Sequence, residues 1–147
     1  LALPAAVLAA ADAADLIIHA GDWVAVSVLD DFAQHGEILG VYGNNDGPEL
    51  RAQLPEIARR EIDGMQFAVI HETGDAKGRH KRTDAAFPDA DVLVFGHSHV
   101  PWDTVTPGGL RLLNPGSPTD RRRQPYCTMM TAVVDHGTLR DVSLVRI

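Results

Sequence analysis

Four strand-like apolar segments in this chain are each followed closely by a polar side chain that can bind a metal ion. The segments occupy residues 16–18, 38–42, 67–70 and 92–95. The polar side chains after them are Asp22, Asn44, His71 and His97, with His99 two residues further on. In open α/β sheets, ligands gather beyond the carboxyl ends of the strands, because parallel strands end at the same edge. The pattern therefore predicts an α/β fold with a metal site at one sheet edge.

The side-chain types restrict which metals such a site would bind. Imidazole, carboxylate and amide oxygen together suit manganese, iron, nickel, cobalt or zinc better than magnesium alone. The number of candidate ligands predicts a dinuclear centre, and the single cysteine takes no part in it. His97 and His99 alternate, so on a strand both would face the same side.

Each candidate also has a structural alternative. Asp22 could cap the following helix, Asn44 could serve a left-handed turn, and Asp46 is expected to cap the helix that begins at Pro48. The remaining histidines lack a supporting context and are interpreted as core or surface residues: His19, His35, His80 and His136.

Four blocks resemble, in order, four of the five blocks of the calcineurin-like metallophosphoesterases. They are Gly21-Asp22, the segment 43–46, His71, and the segment 96–99. The short chain and Leu113-Asn114-Pro115-Gly116-Ser117 are similar to the small single-domain phosphodiesterases of that superfamily. The resemblance covers about residues 16–117, and the order of the blocks makes it specific.

The resemblance implies a four-layer α/β/β/α sandwich of two mixed sheets, formed by one domain over residues 1–147. It also implies two divalent metal ions, Mn²⁺ first, with Fe, Ni, Co or Zn as alternatives. Asp22 would bridge the two metals. Asn44, His71 and His97 would complete one site, and His99 would serve the other.

The implied reaction is hydrolysis of a phosphate ester, a diester rather than a monoester, by a water that two metals activate. Asn45 and Asp46 are the candidate catalytic residues. Asn45 stands where larger members of the family carry a histidine as leaving-group acid, and an amide cannot donate a proton in that role. Glu72 follows His71 where many small members have Gly-His.

The family's opening block, an Asp-x-His after a first strand, is missing from this chain. We expect the natural protein to carry roughly ten to twenty further residues before Leu1, since a strand takes ~5–6 residues plus a connection. These would supply the missing Asp and His. Without them the second metal should bind weakly.

Three functions from different classes compete. The enzyme is the first, and a catalytically weak or inactive interaction scaffold, as in a eukaryotic trafficking branch of this fold, is the second. The third, a structural or storage metal protein, would need a closed ligand shell. Whether the gene encodes an Asp-x-His before Leu1 would separate the first two.

Charge and composition restrict the partners. The net charge is −7 and the pI about 5.3. This acidity opposes a nucleic-acid partner, because neutralising phosphates needs a basic face. Two basic segments, expected on loops at 77–82 and 121–123, contain the candidate phosphate-binding residues Arg79, Lys81 and Arg121. Solvated loop charge is the alternative for each segment. The predicted partner is a small phosphate ester, and a homo-oligomer stays open.

Cys127 is the only cysteine, which fits a reducing compartment. The longest apolar stretch is too short to span a bilayer. The predicted location is therefore the cytoplasm.

Hydrophobic periodicity predicts parallel strands with helical crossovers in the first part of the chain and antiparallel strands in the last part. Helices are predicted at 3–13, 23–34 and 48–53. Beyond the first two strands, at 16–18 and 38–42, strands are predicted at 57–62, 65–70, 92–95, 104–106, 110–113, 128–134 and 139–147.

Overall fold

The computed structural model describes residues 3–147 of the chain. The helices of this part are α1 (Ala5–Ala13), α2 (Val26–Ala33), α3 (Pro48–Gln53) and α4 (Arg79–Ala86). Its strands are β1 (Ile17–His19), β2 (Ile38–Gly40), β3 (Ile57–Ile62), β4 (Met65–Ile70), β5 (Val92–Val94), β6 (Trp102–Val105), β7 (Arg111–Asn114), β8 (Thr128–Asp135) and β9 (Thr138–Arg146).

The strands form one large sheet and two pairs. The large sheet has the order β3-β4-β5-β7-β6, in which β4, β5 and β7 run parallel while β3 and β6 run antiparallel at the two edges. β1 and β2 form a parallel pair, and β8 and β9 an antiparallel pair. The predicted α/β fold with mixed sheets is confirmed.

Side-chain alternation along the short strands shows how the layers stack. In β1 and β2, Ile17 packs among the helices α1 to α3, whereas Ile18 packs against the large sheet. In β8, Met129 and Met130 divide in the same way. Because neighbouring residues of a strand face opposite sides, both pairs lie between these helices and the large sheet.

The second face of the large sheet is covered by the segment that contains α4. Its core is formed by Ala68, Phe87, Leu93, Phe95, Leu110 and Leu112, all at most 5% exposed. Helices, paired strands, large sheet and α4 thus follow one another as four layers.

Two elements differ from the sequence prediction. Residues 79–86 form α4, not a loop, and this helix escaped prediction because it has no apolar stripe: only Arg79 and Thr83 are buried. α2 begins at Val26 rather than near Trp23. Asp22 and Val24 have φ values of 59° and 72°. These values lie in the left-handed region, so the chain cannot enter a right-handed helix there.

No helix within residues 3–147 is long and apolar enough to cross a membrane.

Candidate metal centre

Four loops that leave the carboxyl ends of strands bring four of the predicted ligands together. His71 follows β4 and is buried, with its Nε2 2.8 Å from Asn44 Oδ1, 3.3 Å from His97 Nδ1 and 3.4 Å from Asp22 Oδ2. His97 Nδ1 also lies 3.1 Å from Asn44 Oδ1. Asp22, His71 and His97 offer ligand atoms that all lie within 4.8 Å of one another.

The proton of His71 shows why this cluster suits a cation. His71 Nδ1 lies 2.7 Å from the carbonyl oxygen of Ala20. Since a carbonyl can only accept, Nδ1 must carry a proton, and Nε2 of the neutral ring is then a bare acceptor. Its nearest neighbour is nevertheless the oxygen of Asn44, also an acceptor. A divalent cation among these atoms could accept both lone pairs as ligands. Metal sites commonly contain a backbone carbonyl that orients a ligating imidazole in this way.

Asn45 contacts Asp22 rather than standing free. Its backbone N–H donates to Asp22 Oδ1 at 3.0 Å, and its side-chain Nδ2 donates to Asp22 Oδ2 at 3.2 Å. The residue is exposed, so it remains accessible at the rim of the cluster. Its two bonds fix the direction of the Asp22 carboxylate.

Asp46 holds the two loops that carry Asp22 and Asn44. Its buried carboxylate accepts N–H bonds from Asp22 at 2.9 Å and Gly43 at 2.8 Å through Oδ2, and from Val24 at 2.7 Å through Oδ1. The expectation that Asp46 caps α3 is wrong: Gly47 is the N-cap residue, without a side-chain cap. The capping alternative for Asp22 is likewise wrong, since α2 starts after Ala25.

The close approach of these loops requires glycine at two positions. A Cβ on Gly43 would lie 2.2 Å from Asp22 Oδ1, and one on Gly21 would lie 2.7 Å from the backbone nitrogen of Gly43. Gly21 also has a φ of 101°. An L side chain rarely adopts that conformation. The glycines that precede Asp22 and Asn44 are therefore part of the site.

His97 and His99 lie in the loop after β5, not on a strand, so their alternation does not place them on one side. Both have left-handed φ values, 70° and 59°, in a loop that Asn114 supports from below. Asn114 is fully buried and donates to Gly96 O and Ser98 Oγ, each at 3.3 Å. His97 turns to the Asp22 cluster with its Nε2 3.7 Å from Glu72, whereas His99 donates from Nδ1 to Asp120 O at 2.7 Å. His99 Nε2 is thereby left as the ring acceptor.

Burial keeps two histidines of this region neutral. Desolvation lowers the pKa of His19 to about 4, against an opposing effect of Asp46 and Asp22, and its ring stacks on Trp23 at 3.6 Å. Desolvation also lowers the pKa of His99, while its bond to Asp120 acts in the opposite direction. A neutral His99 is the form that can bind a metal.

The three candidate phosphate-binding residues lie in different environments. Arg79 is buried: it donates to Thr73 Oγ1 at 2.9 Å and Gly74 O at 3.1 Å and packs over Phe95 and Trp102. Its geometry is that of a packing residue and does not support a substrate contact. Lys81 lines a surface cavity of about 620 Å³ beside Trp102. Arg121 donates to Gln124 O within its own loop at 3.0 Å.

Sequence reasoning missed the residues that join the loop at 117–125 to the cluster. Besides Asp120, these include Arg122, which donates from Nη1 to the carbonyl oxygen of His97 at 2.9 Å. The run of three arginines was the only available signal, and nothing in the run distinguishes its second member.

A second metal-capable group lies at the opposite end of the large sheet. Asp63, Asp135 and His136 come from two adjacent hairpin turns. Asp63 Oδ2 accepts the His136 N–H at 2.7 Å, and Arg140 lies 3.2 Å from Asp135. The acceptors of this group are therefore already paired with donors.

Two pairs of strands thus lie on one large sheet, and imidazole, carboxylate and amide groups converge at the carboxyl ends of its strands and of the parallel pair. The sequence model of the calcineurin-like phosphoesterase superfamily domain matches residues 1–137. The chain belongs to this family, whose members generally bind divalent metals and act on phosphate esters.

Relatives and solved structures agree with the assignment. The chain is 36% identical over 136 residues to a probable metallophosphoesterase of Methanocaldococcus jannaschii, covering 90% of this chain and 68% of the relative. It is 30% identical over 100 residues to a phosphodiesterase of the same organism, 58% of this chain and 57% of that protein. The crystal structure of wild-type Vps29 from Entamoeba histolytica, complexed with zinc, superposes with a TM-score of 0.78 at 20% identity, over 99% of this chain and 89% of Vps29. At that identity the likeness to Vps29 shows the fold alone.

Proposed function

We propose that this protein is a metal-dependent phosphoesterase that hydrolyses phosphodiesters in preference to monoesters. The observation that carries the proposal is the convergence of Asp22, Asn44, His71 and His97, in which the acceptor Nε2 of His71 lies 2.8 Å from the oxygen of Asn44. Membership of the phosphoesterase family supports the ester as substrate. The name of the phosphodiesterase relative supports the diester.

The proposed centre takes two divalent ions, with Mn²⁺ first and Fe, Ni, Co or Zn as alternatives. Asp22 would bridge them, with Asn44, His71 and His97 on one ion and His99 on the other. When bound, the ions supply Lewis-acid charge to the phosphoryl group and acidify a water. Mixed oxygen and nitrogen donors match this group of metals.

The remaining residues prepare the ligands. Ala20 O keeps the proton of His71 on Nδ1, so that Nε2 stays a ligand. Asn45 orients the Asp22 carboxylate through two hydrogen bonds. Asp46 acts as a positioning residue, since its oxygens accept three backbone N–H bonds and hold the loops of Asp22 and Asn44 at their distance. Asn45 is exposed and is the residue that we propose contacts the leaving group.

Activity should need neutral imidazoles, because a protonated ring cannot be a ligand. We therefore expect the rate to fall at acidic pH. The proposed location is the cytoplasm, since the single cysteine agrees with a reducing compartment.

The interaction scaffold is the second candidate, and the superposition on Vps29 is compatible with it as a likeness of fold alone. A scaffold of this fold would keep the layers without needing its acceptors to converge. The two candidates differ in what metal removal does, because a scaffold has no activity to lose.

The deciding experiment is chelation followed by reconstitution with single metals and a panel of aryl diesters, alkyl diesters and monoesters. We expect no turnover after chelation, recovery with Mn²⁺, and faster turnover of aryl diesters than of monoesters. Equal rates on monoesters and diesters would contradict the diester preference alone. Absence of turnover with every metal would favour the scaffold.

A further inference from the structure

The loop at residues 117–125, here called the arginine loop, connects β7 to β8 and carries three consecutive arginines. The three side chains are directed differently. Arg121 bonds to Gln124 of its own loop at 3.0 Å, and Arg123 makes no side-chain hydrogen bond within residues 3–147. Arg122 alone reaches the neighbouring loop, where its Nη1 donates to His97 O at 2.9 Å. One arginine is thus singled out by its contact with a ligand-bearing loop.

The arginine loop is held at its base and at its tip. At the base, buried Ser117 accepts N–H bonds through Oγ from Asp120 at 3.0 Å and Thr119 at 3.4 Å. At the tip, Asp120 accepts the His99 ring proton through its carbonyl at 2.7 Å, and its carboxylate accepts the backbone N–H of Arg122 at 3.1 Å. The loop is therefore attached to both histidines of the 97–99 segment, through Arg122 on one and Asp120 on the other.

The backbone at Arg122 is strained in a way that fixes the direction of its side chain. Its φ is 49°. That value lies in the left-handed region, which a long side chain seldom occupies. Such residues persist only where surrounding bonds over-determine them, and they concentrate at binding sites. Here the Asp120 carboxylate and the His97 carbonyl are those bonds.

We propose that Arg122 is a substrate-binding residue that holds a non-bridging phosphate oxygen next to the metal centre. A guanidinium has five N–H donors in a planar fork, and the bond to His97 O uses only one of its nitrogens. Within residues 3–147 the other nitrogens of Arg122 have no partner, and the residue is exposed. A fork with free donors beside His97 matches the geometry of a phosphate.

The inference rests on the proposed function, and it replaces Arg121 and Arg79 by Arg122 as the phosphate contact. The guanidinium of Arg79 is not accessible to a phosphate, because Thr73, Gly74 and two aromatic rings surround it. Arg121 folds back on its own loop.

The test measures binding of inorganic phosphate to the full, Mn²⁺-loaded protein by titration calorimetry. Arg122→Gln should weaken the phosphate Kd by about 10-fold or more, the scale of a lost charge-assisted hydrogen bond, while the metal content stays at the wild-type level. Arg122→Lys should recover part of the affinity, since it keeps the charge but not the fork. The matched controls Arg121→Gln and Arg123→Gln should stay within about twofold of wild type.

Hydrolysis gives the second measurement. With an aryl diester, Arg122→Gln should raise KM by about 10-fold and change kcat less, because an interaction with the ground-state phosphate is lost. Loss of metal in proportion to loss of phosphate binding would overturn the inference, since Arg122 would then act only through His97. Equal effects of all three Gln variants, or a wild-type protein that binds no phosphate at millimolar concentration, would overturn it as well. Phosphate binding through Arg122 without any turnover would contradict the proposed function and leave the inference standing.

Discussion

The two ends of strand β4 each carry an Asp/His cluster, and the clusters differ in how their acceptors are satisfied. His71 follows the strand and joins Asp22 and His97, while Asp63 lies in the turn before the strand and joins Asp135 and His136. With ~3.3 Å per residue, the two sites are roughly 20 Å apart. Similar side chains thus occur at both ends of one strand.

Burial and pairing separate the two clusters. The side chains of Asp22 and His71 are only 11% and 9% exposed, and the imidazole nitrogens of His71 and His97 lie 2.8 Å and 3.1 Å from the oxygen of Asn44. At the other end, the His136 side chain is 92% exposed and Arg140 neutralises Asp135. The first cluster is therefore the stronger candidate metal site, because its Asp22 and His71 side chains are largely buried, whereas the second cluster is exposed and its Asp135 is paired with Arg140.

The largest expected difference concerns metal binding. His97→Ala should weaken Mn²⁺ binding by more than about 100-fold, whereas His136→Ala should leave Mn²⁺ binding unchanged. The first effect exceeds the one usual for a residue that only supports a ligand. The fold should survive in both variants, because each residue lies in a loop. Elemental analysis after loading and desalting checks this. Full metal content in His97→Ala, or loss of metal in His136→Ala, would break the comparison.

The next difference concerns two aspartates that bond to backbone amides. Asp46 accepts three N–H groups in a buried place, whereas Asp63 accepts one exposed N–H through its side chain. Asp46→Ala should therefore lower the free energy of unfolding by about 3 kcal/mol or more, and Asp63→Ala by about 1 kcal/mol or less. Urea denaturation of both variants in chelator gives the two values. Equal losses would show that burial of Asp46 is not what makes it important.

A third prediction concerns His19, which lies beneath the metal end against Trp23. Its pKa of about 4 is lower than the ordinary histidine value of 6.5 that an unfolded chain would show. Below the unfolded value, the unfolded state therefore binds a proton that the folded state excludes. The contribution of His19 to stability is complete above that value and decreases as the pH falls towards the folded pKa. Between pH 8 and pH 5, His19 should therefore lower the free energy of unfolding by about 2 kcal/mol.

The control for this effect is His19→Asn, which keeps an acceptor for the Gly21 N–H that His19 Nδ1 now accepts at 3.1 Å. With a chelator present, the free energy of unfolding of the variant should fall by about 2 kcal/mol less than that of wild type over the same pH interval. The same pH dependence in both proteins would mean that other groups account for it.

The sequence predicts the strands and turns of this molecule well, and contacts between loops poorly. The hairpin of β3 and β4 and helix α3 lie where predicted. They were predictable because Asp63-Gly64 and Pro48 are local signals. The four strand ends were also visible, since each apolar run stops before a polar residue. The family assignment was correct on these blocks.

The features that the sequence did not predict depend on tertiary contacts. Helix α4 was missed because its buried face is made of Arg79 and Thr83, which no hydrophobic pattern reports. The hydrogen bonds of Asp46 and Arg122 join loops that are distant in sequence. The left-handed φ of His97 means that its side chain does not follow the alternating pattern of a strand. The ligand roles, and the catalytic role of Asn45, stay predictions.

The smallest expected effect tests whether Asn45 limits the choice of leaving group. Its side chain donates to Asp22 Oδ2 at 3.2 Å. An amide cannot supply a proton to a departing alkoxide, so aryl diesters should be hydrolysed faster than alkyl diesters. Asn45→His introduces a proton donor at the accessible rim, and an imidazole can still donate to Asp22. We expect this variant to accelerate alkyl diesters by about 10-fold and aryl diesters by less, within the lower range of general acid catalysis. Asn45→Ala is the control: it removes the side-chain bond to Asp22 without adding an acid, so it should slow both substrates by the same factor. Rates from Asn45→His that rise equally for both substrates would show that position 45 acts through Asp22 alone, as its two hydrogen bonds to that carboxylate allow.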